Sequence, residues 1–122
     1  MERPERERIL DELARAFGAA TDVTPAPGQP LHVLLPAMDL PDPWRPSPTR
    51  VLTTWADWPS QRPLFFIDQA VVGESGNRPR SHSLAYQLGE AWVAFSFAFA
   101  WSGQDPVHAV QLWMTRFVTE RS

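Results

Sequence analysis

The residues best suited to chemistry lie in one polar stretch, residues 73–83, which ends in a histidine flanked by two serines. His82 could act as a general base toward Ser81 or Ser83 only if a third group positioned it, and no Ser/His/Asp spacing supplies that group. The chain contains no cysteine, so it offers no thiolate as nucleophile or metal ligand. Acyl transfer through an oxyester on Ser81 or Ser83 therefore stays open as one interpretation of this stretch. A structural role for His82 is the simpler interpretation.

The three histidines, His32, His82 and His108, are widely spaced and form neither an HxxxH nor an HExxH motif. A zinc site needs several His or Cys ligands, so the sequence predicts no bound metal, and no cofactor is predicted either. The formal charge is −3. All 11 basic residues are arginine and none is lysine, which either reflects the composition of the genome or protects the chain from acylation on its own side-chain amines. Because phosphate binding requires a basic surface, we expect no nucleic-acid partner.

The length and the apolar content bear on domain number and compartment. With 122 residues and 43% hydrophobic content, the chain fits a single domain over residues 1–122. Residues 1–8 are strongly charged and lack the apolar region of a signal peptide. The longest mostly apolar run, residues 91–101, has about half the length that spans a bilayer. The sequence therefore predicts a cytoplasmic protein without a membrane partner.

An amphipathic N-terminal helix is predicted over residues 5–17. Pro4 and the acidic residues after it favour a helix start, and Gly18 favours its end. The apolar stripe of this helix consists of Ile9, Leu10, Leu13, Ala16 and Phe17. Arg8 and Arg15 lie on the opposite face, which is either a solvated surface or a contact for a partner protein.

An antiparallel β-meander is predicted after this helix. The segment 25–48 holds most of the 13 prolines and is interrupted by one short strand at residues 31–35. Trp44 lies in the loop that follows this strand. Further strands are predicted at residues 50–55 and 64–67, and their short connections favour antiparallel pairing.

A last strand and a C-terminal helix complete the predicted α+β fold. Residues 92–101 alternate between two faces, with Val93 and Phe95 on one side and Trp92 on the other. Asp105 and Pro106 are typical of an N-cap and a first helical position. The predicted buried side of this helix consists of Val107, Val110, Leu112, Trp113, Met114, Phe117 and Val118.

The order of these elements and three local motifs resemble the ubiquitin-conjugating enzymes. That family carries a Tyr-Pro step and a further proline before its third strand, to which Trp58, Pro59 and Pro63 are similar. It also carries a tryptophan before the next helix, to which Trp101 is similar. The chain looks most like the prokaryotic branch of the family, the family E type, and the resemblance runs from about residue 31 to the C-terminus. It implies a ubiquitin-conjugating-enzyme-like fold.

The third motif surrounds the family's active site, and here it is degenerate. The family has a His-Pro-Asn motif, a glycine seven residues after the histidine and the catalytic cysteine ten residues after it. In this chain Gly89 and Trp92 follow His82 at those distances, and Leu84 takes the place of the asparagine. The family's cysteine forms a thioester with the modifier and its asparagine stabilises the oxyanion, and neither Trp92 nor Leu84 can replace them. The resemblance therefore implies a site without catalytic residues.

These features predict a catalytically inactive, conjugating-enzyme-like subunit of a bacterial ubiquitin-like modification system, with a role in antiphage defence. Its partners would be the ubiquitin-like modifier protein and the activating enzyme or an active conjugating enzyme. Six tryptophans exceed what a core of this size usually needs, so Trp92 and then Trp44 are candidate exposed anchors, with burial as the alternative. Two other functions stay open: acyl transfer through the serine oxyester, and a regulatory or structural domain unrelated to any modifier.

Overall fold

The chain folds as an α+β structure in which an N-terminal helix is followed by a five-stranded antiparallel sheet and then by C-terminal helices. A computed structural model describes residues 1–80, 91–95 and 105–120. Its elements are α1 (Arg3–Phe17), β1 (Thr21–Asp22), β2 (His32–Met38), β3 (Thr49–Thr54), β4 (Leu64–Asp68), β5 (Trp92–Ala94), α2 (Pro106–Met114) and α3 (Arg116–Thr119). The predicted α+β class and element order are confirmed. No helix in these described ranges is long and apolar enough to cross a bilayer.

Helix α1 ends where the sequence predicts and begins two residues earlier. Ile9 and Leu13 are fully buried, and they anchor the helix to the core. Ala16, which the apolar stripe includes, is exposed, so that part of the prediction is wrong, whereas Phe17 at the end of the stripe packs against the core. Gly18 stops the helix with a φ of +89° while its N–H donates to the carbonyl of Ala14. Glycine adopts this conformation without the penalty that a Cβ imposes.

The five strands pair in chain order, each antiparallel to the next, so the predicted meander is confirmed. Strand β2 starts one residue later than predicted and continues past Pro36 to Met38. The register with β3 shifts between Leu35 and Met38, and such an irregularity accommodates a proline that cannot donate to the ladder. The two-residue strand β1 was not predicted, because so short a segment carries no periodic pattern.

The sheet has two apolar faces of different size. The inner face packs against α1 and α2 in the main core. Strand β4 contributes Phe65 and Ile67 to this core, and β5 together with the residue after it contributes Val93 and Phe95. The outer face carries a smaller cluster formed by Leu52, Phe66 and Ala94, with Trp92 packed against it. The alternation predicted from Trp92 onward is therefore confirmed through Phe95, and residues 96–101 lie outside the described residues.

Helix α2 begins as the sequence predicts. The carboxylate of Asp105 accepts hydrogen bonds from the backbone N–H groups of Val107 and His108. Trp113 is fully buried, and its ring stacks on Phe65 with centroids 4.5 Å apart.

The predicted burial of Val118 is wrong, because its side chain is 75% exposed. Neighbouring helical residues point about 100° apart. Burial of Phe117 in the core therefore turns Val118 toward solvent.

Candidate functional site

The four degenerate active-site positions are described only at Trp92. His82, Leu84 and Gly89 lie outside the described residues, as do the serines on either side of His82. Trp92 is the first residue of β5, where it pairs with Asp68 on β4. Its side chain is half-buried and packs against the outer cluster of the sheet. Trp92 thus stands at the edge of that face, neither enclosed in the core nor fully in solvent.

Arg50 and Asp68 form a row with Trp92 across three neighbouring strands. Val51 pairs with Ile67, which sets Arg50 level with Asp68, and Asp68 in turn pairs with Trp92. The guanidinium carbon of Arg50 lies 4.5 Å from the centroid of the Trp92 ring, in a cation–π contact. Its Nε donates to Oδ2 of Asp68 over 2.7 Å. The two contacts together fix the orientation of both the guanidinium and the indole.

The carboxylate of Asp68 stays ionised at neutral pH. Burial is the largest single influence and acts to raise the pKa of Asp68, but the hydrogen bonds from the Ala70 N–H and from Arg50, with the Arg50 charge, outweigh it. The resulting pKa is below the ordinary value. The Ala70 N–H donates to Oδ1 over 2.9 Å, which leaves Oδ2 for Arg50. Asp68 is therefore a fixed anionic support for the guanidinium.

A groove of about 420 Å³ opens beside this row on the outer face of the sheet. Its walls are formed by Val23, Pro25, His32, Leu34, Arg50, Leu52 and Trp92. The ring of His32 is held in place by the contact of its Nδ1 with the Pro30 carbonyl at 2.7 Å. Apart from His32, the groove is lined by apolar side chains, and the Arg50–Trp92 pair lies at one end of it. The shape and composition fit an extended apolar segment of a partner better than a polar small molecule.

Sequence reasoning missed Arg50 and Asp68. They are 18 positions apart in the chain and meet only because of the β3–β4 register. A register cannot be read from one sequence when the connecting loop, residues 55–63, contains two prolines. The available signal was weaker: Arg50 begins one predicted strand and Asp68 directly follows another, at positions that alternate away from the apolar inner face.

Trp44 is buried, so its prediction as an exposed anchor is wrong. Only 3% of the residue is accessible, and its Nε1 donates to the carbonyl of Phe117 over 2.7 Å. The Trp44 and Phe117 rings meet edge to face with centroids 5.5 Å apart. The proline-rich loop folds back over the C-terminal helix. This contact buries Trp44, whose position in a loop had suggested exposure to solvent.

The two arginines proposed as partner contacts on α1 are already paired within the helix. Arg8, with 39% of its side chain exposed, bridges Glu5 at 2.6 Å and Glu12 at 3.1 Å. The hydrogen bond from Arg8 is the main reason why the pKa of Glu5 lies below its ordinary value. Arg15 is 78% exposed and pairs with Asp11 at 3.0 Å. Both arginines reach solvent, but each presents a neutralised rather than a strongly basic surface.

The remaining tests of the site concern metals and relatives. Within residues 1–80, 91–95 and 105–120, no three His, Asp or Glu side chains converge in a way that could hold a metal ion. No family model, no curated protein and no solved structure matches the chain.

Proposed function

We propose that this chain is a catalytically inactive, ubiquitin-conjugating-enzyme-like subunit of a bacterial ubiquitin-like modification system. In this proposal it binds the ubiquitin-like modifier noncovalently around Trp92. Through the charged face of α1 it scaffolds the activating enzyme or an active conjugating enzyme. It forms no acyl intermediate with the modifier.

The architecture supports this proposal at the level of element order. One helix precedes an antiparallel meander whose strands pair in sequence, and a helix closes the chain, as the resemblance leads us to expect. Trp58 and Pro59 lie in the turn before β4, which is the third strand of the predicted meander, and the resemblance leads us to expect the Tyr-Pro step there. Trp58 is 7% exposed and meets Trp55 edge to face at 4.8 Å, which packs this turn against the core.

The observation that carries the proposal is the environment of Trp92. At the position that corresponds to the family's cysteine, the chain presents a half-buried indole stacked with Arg50 beside an apolar groove. An indole forms no thioester, but tryptophan and arginine are the residues that most often dominate the binding energy of protein interfaces. A site of this composition suits a noncovalent partner.

The row of side chains also lowers the cost of binding. An exposed tryptophan or arginine loses rotamer freedom when a partner immobilises it, at about 0.5–1.5 kcal/mol per side chain. Arg50 is already held by Asp68, and Trp92 is held between Arg50 and the outer cluster. Much of this ordering is complete before the partner arrives, so more of the contact energy appears as affinity.

The test is direct binding of the purified chain to a bacterial ubiquitin-like modifier, measured by calorimetry. We expect Trp92→Ala to weaken binding by about 30-fold, which corresponds to about 2 kcal/mol. Arg3→Ala is a matched surface control, since Arg3 is 89% exposed and pairs only locally with Glu7. Circular dichroism confirms that both variants are folded. Absence of modifier binding by the unmodified chain, or equal affinity of Trp92→Ala, would refute modifier binding at Trp92.

A second assay tests inactivity itself. The chain is incubated with the activating enzyme, ATP and the modifier, and the products are examined by mass spectrometry. We expect no thiol-sensitive conjugate and no isopeptide bond within the chain, because it has neither cysteine nor lysine. A stable adduct mapped to an internal residue would overturn the proposal and favour acyl transfer to a serine.

A further inference from the structure

Arg50 uses only part of its hydrogen-bonding capacity. A guanidinium carries five N–H donors in a planar fork. Nε is committed to Asp68, and one face of the plane covers the Trp92 ring. Across the ranges that the structure describes, the two terminal nitrogens of Arg50 make no hydrogen bond or ion pair, and 42% of the side chain remains exposed. A fixed fork with an open edge is the geometry that binds a carboxylate through two parallel hydrogen bonds.

The groove that starts at this fork crosses the sheet. Arg50 and Leu52 are on β3, Leu34 is on β2, and Val23 and Pro25 follow β1. Strands lie about 4.8 Å apart, so the distance from β3 to β1 is about 10 Å. An extended chain covers that distance with about three residues. The groove therefore offers space for a short extended peptide with the guanidinium at one end.

The charges around the groove favour a peptide whose negative group is at its end. Among the described residues that line the groove, Arg50 is the one with a permanent charge. On the other side of Arg50 stands the carboxylate of Asp68, which repels a second anion that approaches past it. If an internal Asp or Glu of the partner bound Arg50, the partner chain would have to continue past Arg50, over Asp68 and Trp92. A chain that ends at Arg50 avoids this repulsion.

We propose that Arg50 binds the free C-terminal carboxylate of an extended polypeptide tail whose last three or so residues lie in the groove. This inference rests on the proposed function, because it assigns the tail to the ubiquitin-like modifier. The carboxylate accepts from both terminal nitrogens of Arg50, Asp68 holds the guanidinium from behind, and Trp92 covers its face. The interaction is noncovalent, so the modifier leaves the site unchanged.

The first experiment uses three synthetic peptides and the tryptophan fluorescence or amide NMR shifts of the full chain. The probes are an acetylated Leu-Leu-Gly peptide with a free carboxylate, its C-terminal amide, and an amidated peptide with an internal Glu. We expect the free acid to bind at least tenfold more tightly than either amide. Arg50→Gln should abolish this preference, Arg50→Lys should keep part of it, and Arg3→Gln should leave it unchanged. Equal binding of acid and amide, equal binding of the internal Glu peptide, or no binding of any probe would overturn the proposal.

A second experiment separates this inference from the proposed function. The intact modifier is titrated into the unmodified chain, into Trp92→Ala and into Arg50→Gln. Binding that is lost in Trp92→Ala and weakened at least tenfold in Arg50→Gln supports both proposals. Binding that depends on Trp92 but is insensitive to Arg50→Gln refutes carboxylate capture and leaves the proposed function standing. If no modifier binds while the peptides show the expected preference, the proposed function fails and the carboxylate site is supported.

Discussion

Replacement of Trp44 by phenylalanine tests how the proline-rich loop is attached to the rest of the fold. The indole Nε1 donates to the carbonyl of Phe117, a residue 73 positions away in the chain. Phe117 belongs to the short helix α3, whose last carbonyls have no partner within the helix. Trp44 therefore caps the C-terminal helix while its ring fills space in the core.

The cost of Trp44→Phe follows from two terms. The substitution leaves a buried carbonyl without its donor, which costs about 1–3 kcal/mol. It also removes part of a ring that is 97% buried, and the remaining space is not filled. We expect the free energy of unfolding to fall by about 2–3 kcal/mol. With a urea m-value of about 1.5 kcal/mol/M, this lowers the denaturation midpoint by about 1.3–2 M.

The assay is urea denaturation followed by circular dichroism, with Trp92→Phe as the matched control. Trp92 is half-buried and makes no hydrogen bond through its indole within the described residues, so the same exchange should cost only about 0.5–1 kcal/mol. Affinity for the modifier should respond in the opposite order, with Trp92→Phe weakening it and Trp44→Phe leaving it unchanged in folded protein. Equal midpoints for the two variants would refute the burial of Trp44 and restore its interpretation as an exposed anchor.

Three further predictions concern single groups. Asp105→Ala should lower the stability by about 1 kcal/mol, because the N-cap of α2 is lost, whereas Asp105→Asn should cost much less; thermal melting distinguishes them. The pKa of Asp68 is lowered on folding, so its ionised carboxylate stabilises the fold. This stabilisation is complete above about pH 4 and is lost as the pH falls through the pKa of Asp68 in the folded state. Urea midpoints measured from pH 7 to pH 2.5 should therefore decline less steeply for Asp68→Asn, and parallel curves would contradict this. Gly18→Ala should cost about 1 kcal/mol through its positive φ alone, since open space surrounds the added methyl group; an unchanged melting temperature would argue against that conformation.

Much of the fold could be predicted because its signals are local. The acids and apolar stripe of α1, the Asp105 cap and the alternation that begins at Trp92 each depend on a few neighbouring residues. The errors arose where tertiary packing decides the outcome. Trp44 is buried because a loop folds over a distant helix, and Val118 is exposed because burial of the adjacent Phe117 turns it toward solvent.

The candidate site was predictable only in part. The resemblance pointed to Trp92 through its distance from His82, and the structure describes Trp92 but not His82. Arg50 and Asp68 carry no motif, and each is an ordinary charged residue on a strand. They become a site when the meander brings β3, β4 and β5 into register, and that pairing is a property of the whole sheet rather than of any short segment.

Strand β5 separates the packing of the sheet from the chemistry of its outer surface. Its side chains alternate, so Val93 packs in the main core, while Trp92 on the other face packs, among the described residues, against the outer cluster and Arg50. A change at residue 92 therefore alters the surface chemistry at little cost to the packing beneath it. Asp68 strengthens this separation, since it orients Arg50 from β4 whatever partner side chain stands opposite on β5. Under the proposed function, Trp92 is therefore a binding anchor at the position where the resembling enzymes carry their nucleophile.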